Sequence, residues 1–461
     1  MAMKKLTPDI VAAAVGGRYV GPESGRHVPI TSVVRDDRDV TAGSLFVCIR
    51  GERVDGHDFA ARAFESGAAC CLYQRTPPNA EEKPHILVAS TLDALRDLGE
   101  YYRKLLDIPV VGVTGSVGKT TAKEMIAAAL STRYNVLKTP ENLNNEIGVP
   151  LTLLSIQEEH EVAVIEMGIS DFGEMRRIAR MVRPDICVIT AIGHSHLENL
   201  GNLEGVLRAK AEVFEYMTPK GLAVLNGDDG LLAQYDPGVP VVTFGTGENC
   251  AFRAESVRQR MEGAEPAVEF TVTHGDARFD AQVRAFGTHL VLGALAAAAV
   301  GHALNVPDDE IARGLLDFTP VGRRARVAHT GYITIIDDCY NANPSSMRAA
   351  ISSLSTLEGR KVALLGDMFE LGEESDNLHR EIGEFAARCG IDCLICCGQK
   401  AECIYKGLIS TGAEIEAWHF PLKGALLNVL PSLIREGDNV LVKASHGMHF
   451  EDLVQALEAL R

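Results

Sequence analysis

Ten residues, Gly112-Val-Thr-Gly-Ser-Val-Gly-Lys-Thr-Thr121, constrain this chain most. They sit between an apolar run, VVGV, and a helical pattern that begins near Thr120. Glycines let the backbone curl so that successive N–H groups converge on phosphate oxygens, and a helix N-terminus adds positive potential. Lys119 then reaches the β/γ phosphates, and the Thr120 hydroxyl can ligate Mg²⁺. The usual motif has Gly six positions before the lysine; here that position is Val113, flanked by Gly112 and Gly115. The strand–loop–helix context offsets that departure.

The rest of the chain agrees. From Pro109 onward, apolar runs (VVGV, AVIEM, ICVITAI, GLAVLN) alternate with helical patterns, which predicts parallel strands covered by helices. With 461 residues and about 150 per domain, three domains are expected. Residues 1–88 read as a small α/β unit. It has strands over Ser44–Gly51 and Ala68–Tyr73, a helix over Phe59–Glu65 capped by Asp58, and a polar, proline-rich loop over 76–84. A helix over Thr91–Leu106 leads into the central unit, 89–320, where 239–287 (VEFTVTH) reads as an antiparallel appendage and Leu290–Leu304 as the closing helix. Residues 321–461 (ITIID, VALLG, CLICCG, VLVKAS) read as a second, Rossmann-like α/β domain.

Lys plus Arg number 45 and Asp plus Glu 62, a net charge of −17, which argues against sequence-independent nucleic-acid binding. No run of 18 apolar residues occurs, so no membrane insertion is expected. Pro8 and Asp9 interrupt the N-terminal apolar stretch that a signal peptide would need. Eleven cysteines without an export signal predict free thiols and a cytoplasmic location. Cys393 and Cys396 have redox-motif spacing, but on a strand residues three apart face opposite ways, so both are expected to be core.

Other chemistry gathers at strand ends. Glu166 closes VAVIEMG, beside the phosphate loop, where a carboxylate is well placed to hold Mg²⁺. ICVITAI ends in Gly193-His-Ser-His196, whose two histidines on an extended chain would point to opposite sides. Lys210 (LRAKAEVF) by itself reads as a surface lysine, and Asp337-Asp-Cys-Tyr-Asn-Ala-Asn-Pro344 reads equally as a turn or a site.

Taken together, TGSVGKTT, Glu166 in IEMG, His196 in HLENLG, Lys210 in AKAE and DDCYNANP resemble the Mur ligases, the ATP-dependent amide-forming enzymes of peptidoglycan synthesis. The likeness spans nearly the whole chain. TPENLNNEIGVPLTLL (139–154), NANPSSM (341–347) and LGDMFELG (365–372) are similar to the branch that joins D-Ala-D-Ala to UDP-N-acetylmuramoyl-tripeptide. RDDRDVTAGSLFVCIRGERVDGHDF resembles that branch's nucleotide-sugar module. The Asn-Pro-Arg signature of the diamino-acid-adding branch is absent, since Ser345 follows Asn343-Pro344. A diamino-acid ligase, a folylpolyglutamate synthetase and a non-catalytic ligase-derived binding protein are the competing readings.

The resemblance implies an acyl-phosphate mechanism in the service of cell-wall growth, shape and division, carried out by a monomer. Its catalytic residues would be Lys119, His196 and Lys210. ATP would meet Thr114, Gly115, Ser116, Val117, Gly118, Lys119, Thr120 and Thr121, together with Arg323, Asp338, Tyr340 and Asn343. Asp36, Arg38, Asn142 and Asn145 would contact substrate. Two Mg²⁺ ions are implied: Thr120 and Glu166 would hold one, and His196 with a CO₂-derived carbamate on Lys210 the other. Where the family pattern has asparagines ahead of the closing helix, this chain has Leu290 and Gly293. Where it has Asp-Ser-Arg, this chain has Asp36-Asp37-Arg38, and where it has Lys-Gly-Ser-Arg, Lys443-Ala-Ser-His446.

Overall fold

A computed structural model describes residues 3–460 except 52, 76–81 and 263–264, so most of the proline-rich loop lies outside the described residues. Apolar runs become strands buried on both faces. In the first sheet the order is Arg18–Val20, His85–Leu87, Cys70–Tyr73, Ser44–Val47, Ser32–Val34, parallel except for its first pair. Leu45, Val47, Cys70 and Leu72 face the helix Thr91–Lys104 through Leu95 and Leu98. Phe46, Cys48, Cys71 and Tyr73 face Ala60 and Ala63 of the helix Ala60–Glu65. These strands and helices are shorter than expected. The cap is also different: Asp55, not Asp58, accepts from the His57 N–H at 3.0 Å and opens a 3₁₀ turn, Gly56–Phe59, ahead of the helix.

The second sheet has nine strands. Parallel pairing runs through Val136–Lys138, Val162–Glu166, Val110–Thr114, Ile186–Ile189, Leu222–Asn226, Val241–Gly245 and Phe252–Glu262. Glu265–His274 and Ala277–Val283 then add antiparallel pairs. The expected appendage is therefore an extension of the same sheet, and Val241–Gly245 belongs to its parallel part. Alternation in VEFTVTH reported a half-buried strand correctly but carried no information about its neighbours. Against one face lies the helix Leu290–Ala303, apolar all round and almost wholly buried beside the helix Lys119–Leu130.

The third sheet orders Arg326–His329, Thr334–Asp337, Asn439–Lys443, Lys361–Gly366, Cys393–Cys397 and Glu416–Phe420, parallel except for its first pair. Cys393 packs with Val362 and Leu430 on one face, Cys396 with Leu365 and Ile404 on the other, as strand geometry requires. All eleven cysteines are free, eight of them buried. Burial pushes the Cys393 thiol up to about 12 and that of Cys397 up to about 11. No helix among the described residues is long and apolar enough to cross a membrane.

Candidate active site

The phosphate loop joins the strand Val110–Thr114 to the helix Lys119–Leu130. Gly115 sits at φ +143°, and any Cβ there would fall on the Thr190 hydroxyl; Gly118, at φ +79°, caps the helix. The Ser116 hydroxyl donates to the Gly193 carbonyl at 3.0 Å and accepts from the Gly193 N–H at 2.9 Å, tying the loop to the end of the neighbouring strand. Lys119 Nζ donates to the Gly115 carbonyl at 2.8 Å. Burial lowers the Lys119 pKa, Glu166 opposes that shift, and Arg324 adds to it.

Glu166 ends its strand almost fully buried. Its Oε1 accepts from the Thr120 hydroxyl at 3.1 Å and from Asn144 Nδ2 at 2.8 Å. Its Oε2 lies 3.6 Å from Lys123 Nζ and is buried without a hydrogen-bond partner. An orphaned carboxylate oxygen beside a threonine hydroxyl is a hard, anionic donor set, and it fits Mg²⁺.

His196 lines a cleft between the second and third sheets, whereas Lys210 is not in its wall and is linked to His196 only through its charge. His196 is not on an extended chain: at φ +54° it precedes a short helix, Leu197–Leu200, so the opposite-sides expectation for His194 and His196 does not apply. Its Nδ1 is 2.7 Å from Glu370 Oε2, and Glu370 also holds a left-handed backbone, at φ +62°. Burial lowers the His196 pKa, Glu370 opposes this, and Lys119 and Lys210 add to it. Lys210 is 1% exposed, on the helix Leu203–Ala211, so its surface reading fails. Burial first, and the charge of Lys119 second, push its amine well below the ordinary lysine range. Burial thus favours the neutral form of the amine, the form that a carbamate requires.

A cleft of about 880 Å³ opens between the second and third sheets. On the third-sheet side Arg324 lies over the Tyr340 ring, 3.7 Å from its centroid. Asp338 receives Lys443 Nζ at 2.6 Å and the Ala325 N–H at 3.2 Å. Asn343 lines the cleft while its carboxamide oxygen caps the helix Pro344–Ser355 in a capping box with Ser346. An apolar wall is made by Phe244, Leu290, Phe318 and Val321.

Several expected residues sit elsewhere. Arg323 is not in the cleft wall: its Nη1 pairs with buried Asp337 at 2.8 Å, and the neighbour Arg324 takes the cleft position. Thr114 and Gly115 lie beneath the loop, with Thr114 fully buried; Ser116 through Thr121 line the cleft. Asn142 lines it too, and Asn145 does so while its side-chain oxygen takes the N–H groups of Ile147 and Gly148. Asn144, which the sequence reading passed over, is the asparagine on Glu166. Asp36 and Arg38 belong to the first sheet's domain and pair with each other, Nε to Oδ1 at 2.8 Å, which holds the Asp36 carboxyl well below its usual range. Asp37 is buried against Arg62.

A phosphate loop, a magnesium-ready carboxylate and a second α/β domain closing over both define an ATP-dependent ligase. The chain belongs to the Mur ligase family. It matches the models for the Mur ligase family catalytic domain over 29–144, the Mur ligase middle domain over 113–301, and the Mur ligase, glutamate ligase domain over 322–446. It is 38% identical over 459 residues to the UDP-N-acetylmuramoyl-tripeptide–D-alanyl-D-alanine ligase of Bacillus subtilis, covering 99% of each chain. The crystal structure of MurF from Acinetobacter baumannii superposes with a TM-score of 0.89 at 30% identity, covering 99% of this chain and 100% of that one. MurF from Thermotoga maritima, in complex with ADP, gives 0.81 at 29% identity, over 93% and 97%.

Proposed function

We propose that this chain joins D-alanyl-D-alanine to UDP-N-acetylmuramoyl-tripeptide, converting ATP to ADP and phosphate. The observation that carries this reading is the Thr120–Glu166 pair, whose Oε2 accepts no hydrogen bond, facing Arg324, Asp338 and Lys443 across one cleft. End-to-end similarity to ligases of that name supports the choice of substrates.

The chemistry runs in two displacements. The tripeptide's terminal carboxylate attacks the γ-phosphorus, and ADP leaves with the electrons of the broken P–O bond. The dipeptide amine then attacks the acyl carbon, phosphate departs, and the amine loses a proton. Both partners of the first step are anions, so charge neutralisation is the main need. The Ser116 N–H is taken by the Ala191 carbonyl at 2.8 Å, so the backbone N–H groups of 117–120 and the helix N-terminus meet the phosphates, and Lys119 exchanges the Gly115 carbonyl for a phosphate oxygen. Arg324 adds a second cation from the other domain. The apolar wall of Phe244, Leu290, Phe318 and Val321 offers a flat base burial without a carboxamide.

Mg²⁺ held by Thr120 and Glu166, and a second ion held by His196 and a carbamate on Lys210, would neutralise phosphate charge. A carbamate there, formed by Nζ of Lys210 bonding the carbon of CO₂ and losing a proton, would supply anionic oxygen donors. Arg38 and Asp36 would serve the uridine nucleotide, and Asn142 the peptide end, with domains dividing near 88 and 320. We place the reaction in the cytoplasm, where nucleotide precursors are made, and assign it to a monomer. The test is ADP formation that requires both UDP-linked tripeptide and D-Ala-D-Ala. Turnover with a diamino acid and the UDP-linked dipeptide instead, or ADP release independent of any acceptor, would overturn it.

A further inference from the structure

At the far end of the closing helix lies a second cluster. His274 ends the strand Glu265–His274, His302 lies in the last turn of the helix Leu290–Ala303, and Asp308 opens the helix Asp308–Leu316. Ligand atoms of the three lie within 4.8 Å of one another, the one such His/Cys/Asp/Glu trio among the described residues. His274 Nε2 is 3.0 and 3.2 Å from the two oxygens of Asp308. Aromatic contacts line up the two rings. His274 stacks on Phe252 at 4.9 Å with planes 10° apart, and Phe279 meets its edge at 6.2 Å. His302 stands edge-on to His274 at 5.0 Å and to Phe252 at 5.7 Å.

We propose that His274, His302 and Asp308 form a binding site for one divalent transition cation of the zinc type. Two imidazoles and a carboxylate are the donor set such ions prefer, and calcium or magnesium would want more oxygens. A tetrahedral ion with ligands at about 2.0–2.1 Å holds its donors roughly 3.3 Å apart, close to the His274–Asp308 spacing. His302 must close the remaining gap by a shift of its ring, and its exposure to solvent leaves room for water as a fourth ligand. The three donors come from three elements, so an ion here clamps the hairpin to both helices. Twelve residues of helix, ~18 Å at 1.5 Å per residue, separate His302 from Leu290 in the cleft wall, so the site is independent of the ligase reading.

The test uses the full chain, stripped with chelator, desalted and kept in saturating Mg²⁺, titrated with Zn²⁺ by calorimetry. One equivalent is expected, with affinity falling about tenfold or more in His302→Ala and in Asp308→Asn. The melting temperature should rise with Zn²⁺ in the parent chain and not in the variants. Co²⁺ should give visible d–d absorption without a thiolate charge-transfer band, which separates this site from the cysteines. Because His302 is exposed, its removal leaves the fold intact. No bound equivalent, parent-like affinity in His302→Ala, or a thiolate band that persists in that variant would overturn the proposal and leave an ion pair with stacked rings.

Discussion

Lys119 ties back to its own loop. Its bond to the Gly115 carbonyl at 2.8 Å holds the amine at the cleft wall, within the phosphate loop. Lys119→Ala should therefore lower kcat about a hundred- to thousandfold, the ~3–4 kcal/mol of one transition-state charge contact, with an unchanged melting curve. Near-parent turnover would remove the loop from the chemistry. Lys210 makes the opposite case, because burial favours its uncharged form. Lys210→Ala and Lys210→Arg should both be inactive, and acetate should partly restore the alanine variant by filling the vacated anionic position; a guanidinium cannot take up CO₂. Active Lys210→Arg enzyme would end the carbamate reading alone. The pH sign follows from the lowered pKa. Between that value and the unfolded ~10.4, the unfolded chain binds the extra proton, so this group's contribution to stability rises with pH. In the parent chain, bicarbonate should raise activity most at low pH, where less neutral amine remains. At this scale the sequence revealed residue types better than positions. The loop lysine and Glu166 were legible from motif and strand end. Arg324 and Asn144 were not, because adjacent arginines and clustered asparagines differ only in which way a turn aims them.

Helices and strands were legible as far as apolar periodicity reaches. Parallel strands announced themselves as unbroken apolar runs, whereas the pairing of Phe252–Glu262 with Val241–Gly245 depends on a connection that no local pattern encodes. Close helix packing was likewise hidden. The helices Ser375–Ala386 and Ala401–Ser410 meet through glycines: a Cβ on Gly383 would strike the Ile404 carbonyl, and one on Gly407 the Arg380 carbonyl. Both obstacles are backbone, so neither can swing aside. Gly383→Ala should destabilise the protein by about 1–3 kcal/mol, read as a lower denaturant midpoint with unchanged slope. An unmoved midpoint would show that the helices can separate without cost.

Across the whole molecule, the cleft is completed by contacts between domains. Glu370 reaches His196 at 2.7 Å, and Ser345 stands against Gly193. The acyl phosphate must be kept from water, so closure over bound ligands is expected. X-ray scattering should show a smaller radius of gyration with ATP analogue and UDP-linked tripeptide together, at a mass of one chain. An unchanged radius would mean that the closed form is already the resting state.

The distribution of thiols gives each sheet its own clock. Cys70 and Cys71 lie in the first sheet, Cys187 in the second, and Cys393, Cys396 and Cys397 in the third, all buried. An alkylating reagent can reach them only when the surrounding sheet opens, and burial keeps the thiol of Cys187, for one, protonated until then. Timed labelling followed by peptide mass analysis would therefore report three opening rates from one unmodified chain. It would show which domain loosens first, and which of them a bound nucleotide holds shut.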